Sequence, residues 1–242
     1  MKTLKWVVVV SVLVSSALAQ TPGFYVSAGG GAATLKTGGF TQTASYGENL
    51  KNKDTKDTVA AARIEVGYQF NENWDLGLRF TDYSTAEITM DLPKYPGIYS
   101  FLPMPEYSRH VFLYDTTRLA LVPSFMFSAG DQMRLRASVG VTGSQTRSHF
   151  EATYYAQFSG RPNGTFYESY PEEKTVTWNY VTSLGAEWMF TKYLSLGLTG
   201  AYSPYEIKIP ATRVAGFGAT QPSTSSVKVD AFEAAVSLIY RK

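Results

Sequence analysis

The sequence predicts an all-β chain closed into an antiparallel, up-and-down transmembrane β-barrel of about eight strands. Three observations predict it. Apolar residues recur at every second position over runs of about nine to eleven residues, the length a tilted strand needs to cross a bilayer. Short turns alternate with long polar connections. After an N-terminal leader no apolar stretch approaches the length of a spanning helix, although 14% of the residues are aromatic and 17 are Tyr.

The leader is Met1 to Ala19. Lys2 and Lys5 precede the apolar run Trp6 to Val14, and small residues end at Ala17-Leu18-Ala19. This is the pattern of a cleaved signal peptide, with an apolar run too short for a membrane anchor. The expected organisation is therefore a signal at 1–19 and one barrel domain at 20–242. The chain has no Cys, which excludes a lipid-anchored lipoprotein and any disulfide. Of 22 basic residues two lie in the leader and 20 residues are acidic, so the exported chain is formally neutral and nothing recruits nucleic acid.

The strands follow in order. Phe24, Val26, Ala28, Gly30 and Ala32 form one face of the first, with Tyr25, Ser27, Gly29 and Gly31 opposite. The second sets Ala60, Ala62, Ile64, Val66, Tyr68 and Phe70 against Arg63, Glu65, Gly67 and Gln69. After the turn Asn71 to Asn73, the third sets Trp74, Leu76, Leu78 and Phe80 against Asp75, Gly77, Arg79 and Thr81. The fourth places Thr117, Leu119, Leu121, Pro123, Phe125 and Phe127 opposite Arg118, Ala120, Val122, Ser124 and Met126. Pro123 removes a ladder donor in mid-strand, so a local bulge is expected there.

A turn at Ala129 to Gln132 leads to the fifth strand, with Met133, Leu135, Ala137, Val139 and Val141 against Arg134, Arg136, Ser138, Gly140 and Thr142. The sixth sets Tyr180, Thr182, Leu184, Ala186, Trp188 and Phe190 against Val181, Ser183, Gly185 and Glu187. Thr191-Lys192 turns into the seventh, Leu194 to Tyr202, and the eighth carries Phe232, Ala234, Val236, Leu238 and Tyr240 opposite Ala231, Glu233, Ala235, Ser237, Ile239 and Arg241. The long connections are Lys36 to Asp57, Asp91 to Tyr107, Gln157 to Glu172 and Lys208 to Ser226.

The apolar stripes carry no charged residue, whereas the opposite faces collect Arg63, Glu65, Asp75, Arg79, Arg118, Arg134, Arg136, Glu187 and Glu233. A soluble barrel would turn the stripes inward; aromatic rings at the stripe ends argue that they face lipid. Tyr68, Phe70, Trp74, Phe125, Phe127, Trp188, Phe190 and Tyr240 make a girdle at the short-turn end, and Tyr180, Tyr202 and Phe232 a thinner one at the other. The charged faces then form an interior polar network. It is a static filling of the lumen or a narrow polar path; an eight-stranded interior is just wide enough for side chains to fill, which favours the filling.

The opening Gly23-Phe24-Tyr25-Val26-Ser27-Ala28-Gly29-Gly30-Gly31 and the closing stripe Phe232 to Tyr240 resemble the OmpA-like, eight-stranded outer-membrane barrel superfamily, with its opacity-protein and OmpW-like "porin family" members. The resemblance implies residence in the bacterial outer membrane, contact with its lipid and lipopolysaccharide, and recognition of the last strand by the outer-membrane assembly machinery. Arg241 and Lys242 after Tyr240 depart from the terminal aromatic usual there. Two-domain members continue into a peptidoglycan-binding domain; this sequence ends with the eighth strand, so no such anchor is expected.

The leading functional expectation is a non-enzymatic barrel with a structural role in the cell envelope, with diffusion of small solutes through it left open. The alternative is surface adhesion or ligand binding through the long loops, among which Leu92 to Pro105 is unusually apolar. A third reading, a lipid-modifying enzyme, rests on His110 and His149 with Ser108 and Ser148 nearby, and lacks an orienting carboxylate. Asn163-Gly164-Thr165 fits a glycosylation sequon but reads as a turn. No catalytic residue, cofactor or metal site is expected.

Overall fold

The computed structural model describes residues 23–38, 41–43, 49–51, 55–93, 105–156, 164–209 and 225–242. The predicted leader, residues 94–104 of the apolar loop, and Asn163 lie outside them. The strands are β1 (Phe24–Thr37), the short β2 (Thr41–Thr43) and β3 (Asn49–Lys51), β4 (Thr55–Gln69), β5 (Trp74–Pro93), β6 (Pro105–Ser128), β7 (Met133–Ala156), β8 (Gly164–Met189), β9 (Leu194–Ile209) and β10 (Ser225–Arg241). Eight of them close in the order β1-β10-β9-β8-β7-β6-β5-β4, while β2 and β3 pair only with each other, a hairpin inside what the sequence suggested was loop. Every barrel pair is antiparallel. The first and last barrel strands complete the ring: Gly23 N–H donates to the Lys242 carbonyl at 2.7 Å and Lys242 N–H to that of Phe24 at 3.1 Å.

The short turns are built by side chains that mimic backbone acceptors. Asn71 Oδ1 accepts from the N–H groups of Asn73 and Trp74, both at 2.9 Å. Thr191 Oγ1 accepts from Tyr193 at 3.1 Å and Leu194 at 3.0 Å. Such local bonds reverse the chain in few residues. Gly130 turns with φ +129°, a conformation an L side chain rarely adopts.

The stripes face outward. Leu121, Val139, Leu184, Leu198, Val236 and Leu238 are all substantially exposed, while Arg63, Glu65, Arg79, Arg118 and Glu187 are buried inside. Lipid must cover the outer surface, since this much exposed apolar area has no place in water. Among the described residues no helix is long and apolar enough to cross a membrane; the strands do so. Trp74 packs edge-on against Phe125 at 5.1 Å and Phe24 against Tyr68 at 4.9 Å, while at the other end Tyr202 lies 6.1 Å from Tyr180 and 4.9 Å from Phe232. Phe232 and Tyr240 lie eight residues apart on β10, roughly 20 Å of height at about 3.3 Å per residue and about 40° of tilt.

Two sequence expectations need correction. Pro123 makes no bulge: Leu76 pairs with it directly, and towards β7 the ladder resumes from Leu121–Val141 to Ser124–Ser138 with equal spacing on both strands. The missing N–H interrupts the pairing there without inserting a residue. The bulge lies instead between Tyr83 and Ala86, with others near Pro105 and Ser148. The long connections are also partly strand. β5 and β6 pair up to Pro93–Tyr107, and β7 and β8 up to Ala156–Gly164, so Leu92, Pro93, Pro105, Gly164 and Thr165 belong to ladders. Where side chains of these extensions are described, the outer face carries Glu87, Gln145, Arg147, Glu172 and Lys174, so it lacks the apolar stripe that marks a strand in lipid.

The extensions do not continue the closed barrel. The β4–β5 ladder ends at Ala61–Tyr83 and the β8–β9 ladder at Thr182–Tyr202, although all four strands run on. Above these levels β5 to β8 form one sheet and β9, β10, β1 and β4 another. Among the described residues isolated bonds span the seams, such as Ala60 N–H to Ser84 Oγ at 3.1 Å, Glu87 N–H to Asp57 Oδ2 at 2.9 Å, and Ser203 Oγ to the Tyr180 carbonyl at 2.7 Å.

Candidate functional site

The interior charges fall into three sets. The first is centred on Glu65, only 1% exposed. Its register partner across the β4–β5 ladder is Arg79, whose Nε donates to Glu65 Oε2 at 2.6 Å. Arg136 reaches from β7 to place Nη2 2.7 Å from both Glu65 Oε1 and Asp75 Oδ1. The Tyr25 hydroxyl donates to Glu65 Oε1 at 2.8 Å and accepts from Arg136 at 2.6 Å. The guanidinium carbons of Arg136 and Arg241 lie over its ring, 5.4 Å and 5.7 Å from the centroid. Gly67 makes room for it: a Cβ there would stand 2.5 Å from the Tyr25 ring.

The second set lies nearer the long-loop end. Arg63 Nη1 is 3.5 Å from Glu233 Oε1, and its Nη2 donates to Thr199 Oγ1 at 3.0 Å. The Tyr83 hydroxyl donates to Glu233 Oε2 at 3.1 Å and accepts from Arg118 Nη1 at 2.8 Å. The third set is Arg241, whose Nη2 lies 2.6 Å from both oxygens of Glu187 while Nη1 donates to Ser195 at 2.9 Å. Of the nine charged residues predicted for the interior, eight enter these sets. Arg134 stands apart, half-buried beside Lys192 and Arg241 in a crevice at the short-turn end.

Tyr25, Tyr83 and Arg241 were not among the predicted site residues, although all lie on inward faces. Also unforeseen is an apolar layer above the ions: Leu35, Val59, Tyr114, Tyr205, Ile207, Val227 and Val229 pack into one buried cluster. A sequence signal for it exists. In Val227-Lys228-Val229-Asp230 and in Tyr205-Glu206-Ile207 the apolar residues occupy the opposite alternation from the stripes next to them on β10 and β9. The outer face leaves lipid for water there, so apolar groups move inside.

Ser148 is buried inside while His149, next along an extended strand, points to the other face, within 3.4 Å of Glu151. These two therefore do not form a nucleophile and base. The side chains of Ser108 and His110 lie outside the described residues. Among the described residues no three His, Asp or Glu side chains gather to hold a metal.

Comparison with solved structures finds the same architecture in distant proteins. The chain is similar to the outer membrane protein OprG from Pseudomonas aeruginosa, with 11% identity over 91% of this chain and 97% of that one and a TM-score of 0.51. It is likewise similar to the outer membrane protease OmpT from Escherichia coli, with 10% identity over 91% and 97% and a TM-score of 0.52. At these identities the likeness is one of fold. No curated protein matches the chain in sequence. The outer membrane protein beta-barrel domain matches residues 6–239, and the chain belongs to that family.

Proposed function

We propose that the chain is a non-enzymatic structural barrel of the outer membrane with a lumen sealed to ions. The observation that carries this reading is the filling of the lumen by two successive layers, the ion network around Glu65 and Glu233 and the apolar cluster around Leu35 and Val229. Buried ions held by several partners resist rearrangement, since separating one pair leaves an uncompensated charge. Apolar side chains above them offer a passing ion no replacement for its water.

Refolded protein inserted in a planar bilayer is expected to be electrically silent once insertion is established by the mobility difference between heated and unheated samples. Discrete conductance steps, altered by charge changes at Arg79 or Arg118, would overturn this in favour of a channel for small solutes.

The partners of this reading are outer-membrane lipid and lipopolysaccharide around the stripes, and the assembly machinery at the closing strand. Export requires that residues 1–19 direct the chain out of the cytoplasm and are then removed. The intact mass of protein extracted from membranes is expected to correspond to residues 20–242; a mass that includes the leader would refute cleavage.

A further inference from the structure

Across β5 to β9 the register joins five outward residues into a row perpendicular to the strands: Trp74, Phe125, Ala137, Leu184 and Gly200. The next row towards the long loops holds Pro123, Val139, Thr182, Tyr202 and Phe232. Between the rows, Ser138, Ser183 and Glu233 turn their side chains into the lumen, so main chain floors the space. Pro123, Ala137, Thr182 and Gly200 are small beside bulky Phe125, Leu184, Tyr202 and Phe232. The space is therefore a trough, with a volume of about 850 Å³.

The trough crosses the hydrocarbon band obliquely, from the ring of Trp74 in one girdle to those of Tyr202 and Phe232 in the other. Five strand spacings from β5 to β10, at about 4.8 Å each, make it roughly 24 Å long, and a tilt of about 40° makes it climb roughly 15 Å. That climb is half of a hydrocarbon core about 30 Å thick, the depth of one leaflet. A long apolar trough at this depth suits a lipid tail; a compact solute would leave most of its length uncovered.

The upper end gives the tail a direction. Thr182 lines the trough beside its register partner Tyr202. A hydroxyl in hydrocarbon needs a polar partner, and a lipid carries its ester groups at the head of the tail. Above this end Lys36, Lys56 and Lys228 are exposed on the outer face. They stand against Glu206 and Asp230, the latter accepting from the Tyr202 hydroxyl at 2.8 Å. Among the described residues positive charge is in excess there, which favours phosphate. The long loops face outward, so the lipid at this end belongs to the outer leaflet.

We propose that the trough seats one acyl chain of a lipopolysaccharide molecule, its head at Thr182 and the lysines and its tail running down towards Trp74. The inference rests on the outer-membrane reading above and gives one of its partners a site.

Native mass spectrometry of the refolded protein, mixed in detergent with lipid A or with phosphatidylethanolamine, tests it. The parent is expected to retain one lipid A and several-fold less phosphatidylethanolamine. A Cβ at Gly200 would meet nothing nearer than the Glu233 carbonyl oxygen at 4.0 Å, so Gly200→Leu fills the trough without displacing the backbone. It is expected to retain several-fold less lipid A than the parent, whereas Ala62→Leu, the same added bulk on the lipid face of β4, is expected to match the parent. No retained lipid, a preference for phosphatidylethanolamine, or equal retention by Gly200→Leu and the parent overturns the proposal. The mobility difference between heated and unheated samples reports barrel formation separately, so loss of lipid from a folded barrel refutes this site alone. The parent's choice between the two lipids is decisive even if Gly200→Leu does not fold.

Discussion

Glu65→Ala is expected to lower the stability of the inserted barrel by about 3–5 kcal/mol, the cost of breaking a buried ion pair from one side. The carboxylate takes its bonds from Arg79, Arg136 and Tyr25, all within 2.8 Å. Without it Arg79 keeps only a 3.4 Å contact to Ser183 and Arg136 keeps Asp75, so two guanidiniums share one carboxylate. Glu65→Gln retains the shape and loses the charge, and should destabilise less. Urea titration of the refolded protein, read by the fraction that migrates as folded barrel without heating, gives both numbers. A loss below about 1 kcal/mol, the scale of an exposed pair, would mean that water reaches the network and that the lumen is not sealed.

Val236→Arg should cost about 2–4 kcal/mol, while Tyr240→Arg on the same face of the same strand should cost about 0–1 kcal/mol. Val236 lies midway between the girdle residues Phe232 and Tyr240 and is 49% exposed to what must be hydrocarbon. An arginine there cannot reach the interface as easily as one at the girdle. The same titration measures the pair. Equal costs at the two depths would contradict a membrane band centred near Val236.

Inside the band, strand and face were legible in the sequence because one physical rule governs them. Lipid outside and a packed polar lumen inside force a strict alternation, so one apolar stripe per strand gives strand, register and face together. Above the band the rule changes. The outer face of β7 carries Arg147, exposed to water, while Ser144 and Thr146 are buried inside, so hydropathy no longer marks the strand. That is why the ladders continue well into segments that read as loops. The Pro123 expectation failed for a related reason: a missing donor weakens pairing, but a bulge needs an extra residue, and the alternation leaves none to spare.

The site was legible as a set of residues and not as a set of bonds. Arg63 and Glu233 are far apart in sequence and lie on different strands of the ring, as do Glu187 and Arg241. Their meeting depends on strand tilt and stagger around the whole barrel, which no single hairpin encodes. The Glu65–Arg79 pair is the exception, because Asn71 to Asn73 fix the register of the hairpin that contains it.

The two seams divide the molecule into parts that answer to different rules of change. Below Ala61–Tyr83 and Thr182–Tyr202, adding or removing a residue shifts the stagger of a closed ring and disturbs every neighbour. Above them, the described strands form two open-edged sheets whose strand lengths do not enter the closure condition. The outward part can therefore be lengthened, shortened or rewritten by mutation while the diameter and lining of the barrel stay as they are. Variation exposed to the surroundings is in this way insulated from the geometry that holds the protein in the membrane.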